Sequence, residues 1–318
     1  MSARRGSPAG WSDVADDLLA ARLRKSPQGN YRLREQPKVL IPRYLRRVII
    51  AVLLVVIVVP IGYMVLMSFT PNEDVALGAI SLRVLGVQNY VDMWSAAPLA
   101  AGLLHTVIIA GSAAVVSVFV ALLAAYPLTR FEFKGRRSYL YTLVALQTVP
   151  GTTTVLPLFA ILSWIQTTLS VSLIGTYWPI ILTYMTFGVP LSTWLLVAYL
   201  RTVPRDLEEA GLVDGCSPLG ALRRIVLPLA LPAMVVALVF AFLVGWNDVL
   251  FASVFTNQHT QTLAIVLELF SSTSFSTGTP VYGELMSAAV VSSIPVVVLY
   301  LLCQRYLVSG LAVGSLNG

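Results

Sequence analysis

Long apolar runs alternate with short polar segments along this chain. Six runs, at about 48–69, 103–128, 138–165, 173–199, 228–251 and 286–307, each hold enough apolar residues to cross a bilayer, which takes roughly 20 in a helix. The first, Val48 to Phe69, carries no charge at all. One Arg at the centre of such a span costs about 2.5–3.5 kcal/mol on insertion scales, so a run this clean is matched to lipid. The pattern predicts an all-α polytopic membrane protein with six spans. A transmembrane domain at 48–307 lies between an N-terminal tail, 1–47, and a C-terminal tail, 308–318.

Composition agrees and excludes a soluble enzyme. Hydrophobic residues make up 57% of the 318-residue chain and charged ones 11%, against about 25% charged in a soluble domain. Basic residues then orient the spans. Eleven Lys and Arg precede the first span, four lie between spans two and three, four between spans four and five, and Arg305 closes the sixth. Only Arg83 falls on the other face. The positive-inside bias makes the basic face cytoplasmic and puts both termini there. The net charge of +6 needs no nucleic-acid partner to explain it. Cys216 and Cys303 both fall on this reducing side, so no disulfide is expected. His105 and His259 are far apart and lack companion ligands, and no metal site is expected.

The polar segments differ in character. The N-terminal tail is rich in Arg, Pro and Gly, with a short run around Val14 to Leu23 that suits a helix; it reads as a tail held near anionic headgroups. The run beginning at Val48 is too long for a signal h-region and reads as an uncleaved span. Between spans one and two, Asn89-Tyr90 and Trp94 suit the headgroup interface. Within the loop at 252–285, Leu263 to Phe270 is too short to span. It reads as an interfacial or re-entrant helix, or as a surface that receives a soluble partner. Pro150-Gly151 and Pro157 interrupt span three, and Pro179, Gly188 and Pro190 interrupt span four. Freed backbone groups need protein or water beside them, so these spans are either path-lining helices or kinked helices that pack well. Gln147, Thr148 and Tyr184, near the breaks, are the candidate path residues.

The loop between spans four and five, at about 201–228, carries the most information. Pro204 and the acidic Asp206, Glu208 and Glu209 suit the positive end of a first helix. Gly215 suits a left-handed stop, and Ser217-Pro218 an N-cap and first turn opening a second helix that ends near Leu227-Pro228. Leu207, Ala210 and Gly211 share one face of the first helix, where small residues admit another backbone.

Glu209-Ala210-Gly211-Leu212-Val213-Asp214-Gly215, nine residues, then Ile225-Val226-Leu227-Pro228 resembles the EAA loop of the membrane subunits of binding-protein-dependent ABC importers. That pattern reads E-A-A, two residues, D-G, nine residues, I-x-L-P. The matching positions are Glu209, Ala210, Asp214, Gly215, Ile225, Leu227 and Pro228, and Gly211 stands where a second alanine is usual. Gly245-Trp246-Asn247-Asp248 and Gln304-Arg305-Tyr306-Leu307-Val308-Ser309-Gly310-Leu311 look like the sugar-importing branch, the shorter six-span partner of a maltose-type permease pair. The usual Lys-Gly tail is here Asn317-Gly318.

The resemblance implies half of a translocation pathway for a di- or oligosaccharide in the cell inner membrane. Its implied partners are a second permease subunit, a cytoplasmic ATPase dimer and an extracytoplasmic solute-binding protein. The loop becomes a coupling helix seated in a cleft of the ATPase, with Glu208 and Glu209 as its acidic residues, Glu209 the charged contact, Asp214-Gly215 the turn, and Asn317-Gly318 a second contact. Trp246 and Asn247 suit either sugar binding or interfacial anchoring. The chain itself has no phosphate loop, since Lys25, Lys38 and Lys134 all lack the G-x-x-x-x-G-K context. It is expected to bind no cofactor, with ATP and Mg on the partner ATPase. A polyol, glycerol phosphate or peptide cargo, or a secondary transporter, are the alternatives. A proton-coupled carrier usually places carboxylates mid-membrane, and spans one, three, four and six have none there.

Overall fold

The computed structural model describes residues 23–25, 31–33, 42–76, 85–277 and 281–315. Two compact units, 1–60 and 61–318, divide the chain. In the first, β1 (Leu23–Lys25) pairs antiparallel with β2 (Tyr31–Leu33). The helix expected over Val14 to Leu23 falls outside the described residues except at Leu23, which is in β1. Helix α1 (Arg43–Ser68) supplies the first apolar run.

The second unit is helical. After α1 come α2 (Asn72–Ala76), α3 (Gln88–Ala96), α4 (Leu99–Arg130), α5 (Arg136–Gln147), α6 (Gly151–Leu169) and α7 (Tyr177–Leu200). Then follow α8 (Asp206–Val213), α9 (Pro218–Ala221), a π turn (Leu222–Val226), α10 (Leu227–Trp246), α11 (Leu250–Phe255), α12 (Leu263–Thr277) and α13 (Tyr282–Ser315). Among the described residues six helical stretches are long and apolar enough to cross a membrane: Tyr44–Ser68, Leu99–Arg130, Gly151–Leu169, Tyr177–Leu200, Pro218–Trp246 and Tyr282–Tyr306.

Two of these differ from the sequence expectation. The third run is broken: α5 ends at Gln147 and the membrane-length helix begins only at Gly151. Pro150, in extended backbone, gives no N–H and pushes its predecessor out of the helical region. The fifth run is longer than expected, because the helix opened by Pro218 does not stop near Leu227-Pro228. It continues to Trp246 through the π turn, in which the Leu227 N–H donates to Leu222 O. Pro228 follows directly on this π turn, at the start of α10.

Within the second unit, spans two, four and five (α4, α7 and α10) form the packed centre, whereas α6 and much of α13 present their apolar surface outward. The three central helices meet through small residues, Ala121 and Ala125 against Leu196 and Leu200 and against Ala230 and Ala233. Such residues let backbones approach, which is how helices associate where lipid supplies no hydrophobic drive. At Gly188 a Cβ would lie 2.6 Å from Ser117 Oγ, and at Gly245 one would lie 2.8 Å from the Tyr184 ring. Gly188 is therefore a packing residue of span four.

The outward-loop elements also pack on this unit. Helix α12 buries Leu263, Val266 and Phe270 with Met93, Leu99 and Ala288, so one face of the short apolar run is covered by this chain itself. Asn89 and Tyr90, expected at the headgroups, are internal fasteners. The Asn89 amide donates to Ser68 O and Thr70 O, and the Tyr90 hydroxyl hydrogen-bonds Ser68 Oγ at 2.7 Å. Trp94 remains exposed.

Candidate functional site

The loop between spans four and five folds as two short helices joined by a tight turn. Asp206, Glu208 and Glu209 occupy the first turn of α8, where the exposed N–H groups favour negative charge. Its C-terminus closes as a Schellman motif: Gly215 N–H donates to Leu212 O at 3.1 Å and Cys216 N–H to Gly211 O at 2.9 Å. Gly215 sits at φ +88°, in the left-handed region expected of it. Ser217 caps α9 by accepting from Gly220 N–H at 3.1 Å, with Pro218 in the first turn.

Neighbouring glutamates on α8 meet different surroundings. Glu209 is exposed. Glu208 is buried, its Oε1 taking a charge-assisted bond from Arg130 Nε at 2.5 Å, with the two side chains 9% and 7% exposed. The Tyr126 hydroxyl donates to the other oxygen at 3.3 Å. Arg130 is the last residue of α4, and its remaining nitrogens donate to Leu200 O and Val203 O. The sequence reading grouped Glu208 with the surface of the loop; it belongs to the interior. Arg130 was counted only as an orienting charge, and nothing in its local sequence marks it as the partner of a residue 78 positions away.

The shared face proposed for Leu207, Ala210 and Gly211 also divides. Leu207 and Ala210 are exposed, while Gly211 is buried against the side chain of Ile225 in the π turn. The glycine that departs from the usual alanine thus makes room for the isoleucine of the same motif, and among the described residues no second backbone approaches it. Asp214 is exposed beside Gly215, Leu227 is half-buried, and Pro228 is exposed. Val213 and Leu219 on this polar loop are 88% and 73% exposed.

The candidate path residues are not gathered in one place. Gln147 and Thr148 are exposed at the α5–α6 break, with Thr148 Oγ1 donating to Ala145 O. Tyr184, expected on an aqueous path, is only 2% exposed, and its hydroxyl donates to Asp248 Oδ2 at 3.0 Å. The same oxygen accepts from Phe251 N–H and Ala252 N–H, so Asp248 caps α11. Trp246 is half-buried with its ring 5.3 Å from Phe242, whereas Asn247 is exposed and donates to Leu243 O. The open space beside the break is instead a groove of about 570 Å³ between α6 and α7, with Thr153, Thr154 and Thr186 among its lining residues. The sequence signal for it was Pro150-Gly151, one turn away. Asn317 and Gly318 lie outside the described residues.

Residues 117–313 match the family described as binding-protein-dependent transport system inner membrane component. The chain belongs to this family. Its similarity extends to named members. It is 31% identical to the inner membrane ABC transporter permease protein YcjP of Escherichia coli, over 85% of this chain and 94% of that one. It is 32% identical to the trehalose/maltose transport system permease protein MalG of Thermococcus litoralis, over 81% and 91% respectively. A crystal structure of a bacterial ABC transporter involved in alginate import aligns with a TM-score of 0.66 at 18% identity, covering 95% of this chain and 99% of that chain. That likeness shows the fold. A chain of this family with six membrane-length helices among its described residues is a multi-pass membrane protein, as the apolar pattern implied, and the permease part of a transport system, as the motif resemblance implied.

Proposed function

We propose that this chain is one of two permease subunits of an ATP-driven importer for a di- or oligosaccharide, and that the loop at 201–228 couples it to an ATPase. The carrying observation is the build of α8: a stopped, capped, two-ended helix that hides Glu208 and bares Glu209, Val213 and Leu219. A loop with no partner gains nothing from bared apolar side chains on a rigid frame. Family membership favours this reading over a secondary transporter. The sugar is supported by the similarity to a trehalose/maltose permease and by the Gly245-Trp246-Asn247-Asp248 segment.

In this scheme ATP and Mg bind the cytoplasmic ATPase pair and none binds this chain. An extracytoplasmic protein delivers the sugar, and a second permease completes the pathway. ATP-driven closure of the ATPase carries the coupling helices toward each other, and the spans rock between outward and inward access around the α6–α7 groove. The basic loops and both termini face the cytoplasm.

The test is reconstitution of the complete transporter in vesicles with a panel of loaded binding proteins. Uptake of a sugar that requires both ATP and binding protein is expected. Uptake driven by an ion gradient, without ATP, would refute the assignment; uptake restricted to a polyol, a glycerol phosphate or a peptide would replace the cargo alone.

A further inference from the structure

Covalently, α8 is joined to span four through residues 201–205 and to span five through the α9 turn. Its buried polar contact goes elsewhere, to the end of span two. The Arg130 guanidinium gathers three groups at one point: the carboxylate of Glu208 on α8, and the carbonyls of Leu200 and Val203 at and just after the end of span four. Arg205, just before α8, donates in return to Thr129 O at 2.9 Å. Tyr126, one turn back along α4, holds the second oxygen of Glu208. The same ends of α4 and α7 share the small-residue core with Val226 and Ala230. A load applied to α8 therefore enters a fastened body of α4, α7 and α10, and reaches span two without passing through flexible connections.

We propose that the Arg130–Glu208 pair is the positioning element that transmits movement of the coupling helix to span two, and that Glu208 takes no part in contact with the ATPase. This rests on the coupling role proposed above for the loop. Two arguments support a mechanical use. A buried ion pair is seldom a gain in stability over apolar residues of the same volume, but breaking one side of it is costly. It is thus a poor choice for stability alone and a good one for fixing a unique geometry. The guanidinium also offers several donors in a rigid plane, so one side chain sets both the distance and the angle of α8 against two spans.

The experiment compares R130Q, E208Q, R130Q/E208Q and E209A in the complete reconstituted transporter, reading ATPase co-purification, ATPase activity and ATP hydrolysed per sugar transported. If the pair transmits movement, R130Q and E208Q keep the ATPase bound and active, and ATP used per sugar rises by at least roughly fivefold, the low end of typical coupling between linked sites. The double variant should be no worse than the worse single one, because the two residues act as a unit. E209A should instead weaken ATPase docking or its stimulation. Wild-type ATP use per sugar in R130Q and E208Q, with E209A impaired, would overturn the latch and leave the coupling loop standing. An unimpaired E209A would remove the coupling reading itself. Where a single variant fails to assemble, R130Q/E208Q decides, since it leaves no unpaired buried charge. Active ATPase without uptake in that variant supports the proposal, whereas intact coupling or failure to assemble there too would reduce the pair to a folding contact.

Discussion

Replacing Gly211 by alanine restores the residue usual in the EAA pattern, yet the structure argues that the exchange is not a simple repair. A β-carbon at this position would overlap the terminal methyl of Ile225 in the π turn. On the favourable side, alanine stabilises a helix interior by about 1 kcal/mol over glycine. On the other, Ile225 must turn its end group away, and an off-rotamer side chain costs about 0.5–1.5 kcal/mol. The two nearly cancel, so Gly211→Ala alone should change stability by less than about 1 kcal/mol in either direction. Ile225→Val alone deletes the overlapping methyl and should cost about 0.5–1.5 kcal/mol. In G211A/I225V the new methyl occupies the space vacated by the old, and the pair should be more stable than the sum of the singles by about 1 kcal/mol, within the range of coupled neighbours. Thermal unfolding of the purified transporter in detergent, with all four proteins at equal lipid and salt, gives the order of midpoints. Strictly additive shifts would mean that Gly211 and Ile225 do not touch, and the packing of α8 on the π turn would have to be abandoned. Gly211→Val is the harsher probe, since its branched side chain overlaps whichever way Ile225 turns.

Other outcomes follow from the same geometry. Glu209→Ala should sharply reduce sugar uptake while the protein inserts at normal levels and the binding protein keeps its affinity for sugar; full uptake would show that the exposed carboxylate is idle. Gly215→Val should impair coupling more than Glu209→Ala does, because φ +88° is strained for a β-branched residue, and equal or milder loss in paired uptake assays would contradict this. Asp248→Ala removes the acceptor of the Tyr184 hydroxyl and the cap of α11, and should cost about 1–3 kcal/mol for the buried group left unpaired. Asp248→Asn keeps an acceptor and should be clearly milder, so matching melting midpoints for the two would count against the cap. Reporter fusions after residues 135 and 215 should read cytoplasmic and those near 85 and 270 external; a reversal at two sites would invert the orientation.

What the sequence determined is what each segment decides for itself. A run such as Val48 to Phe69 needs no neighbour to be apolar and long, and the count of basic residues in each loop needs no fold. The stop at Gly215 and the cap at Ser217 were equally legible, because both are set by bonds within a few residues. Tertiary structure decided the rest. Glu208 and Glu209 are adjacent and chemically identical, and consecutive residues on a helix point about 100° apart, so one can turn inward while the other stays in solvent. Which one depends on where Arg130 arrives from the end of another span. Gly211 read as a small residue open to another backbone until Ile225 was seen to fill its space. Tyr184 looked like a path residue by its place near helix breaks, but the close approach of Gly245 and the acceptor on Asp248 bury it. A side chain's surroundings in a packed helical bundle belong to whichever helices cross there, and the crossing is fixed by the small residues of α4, α7 and α10 acting together.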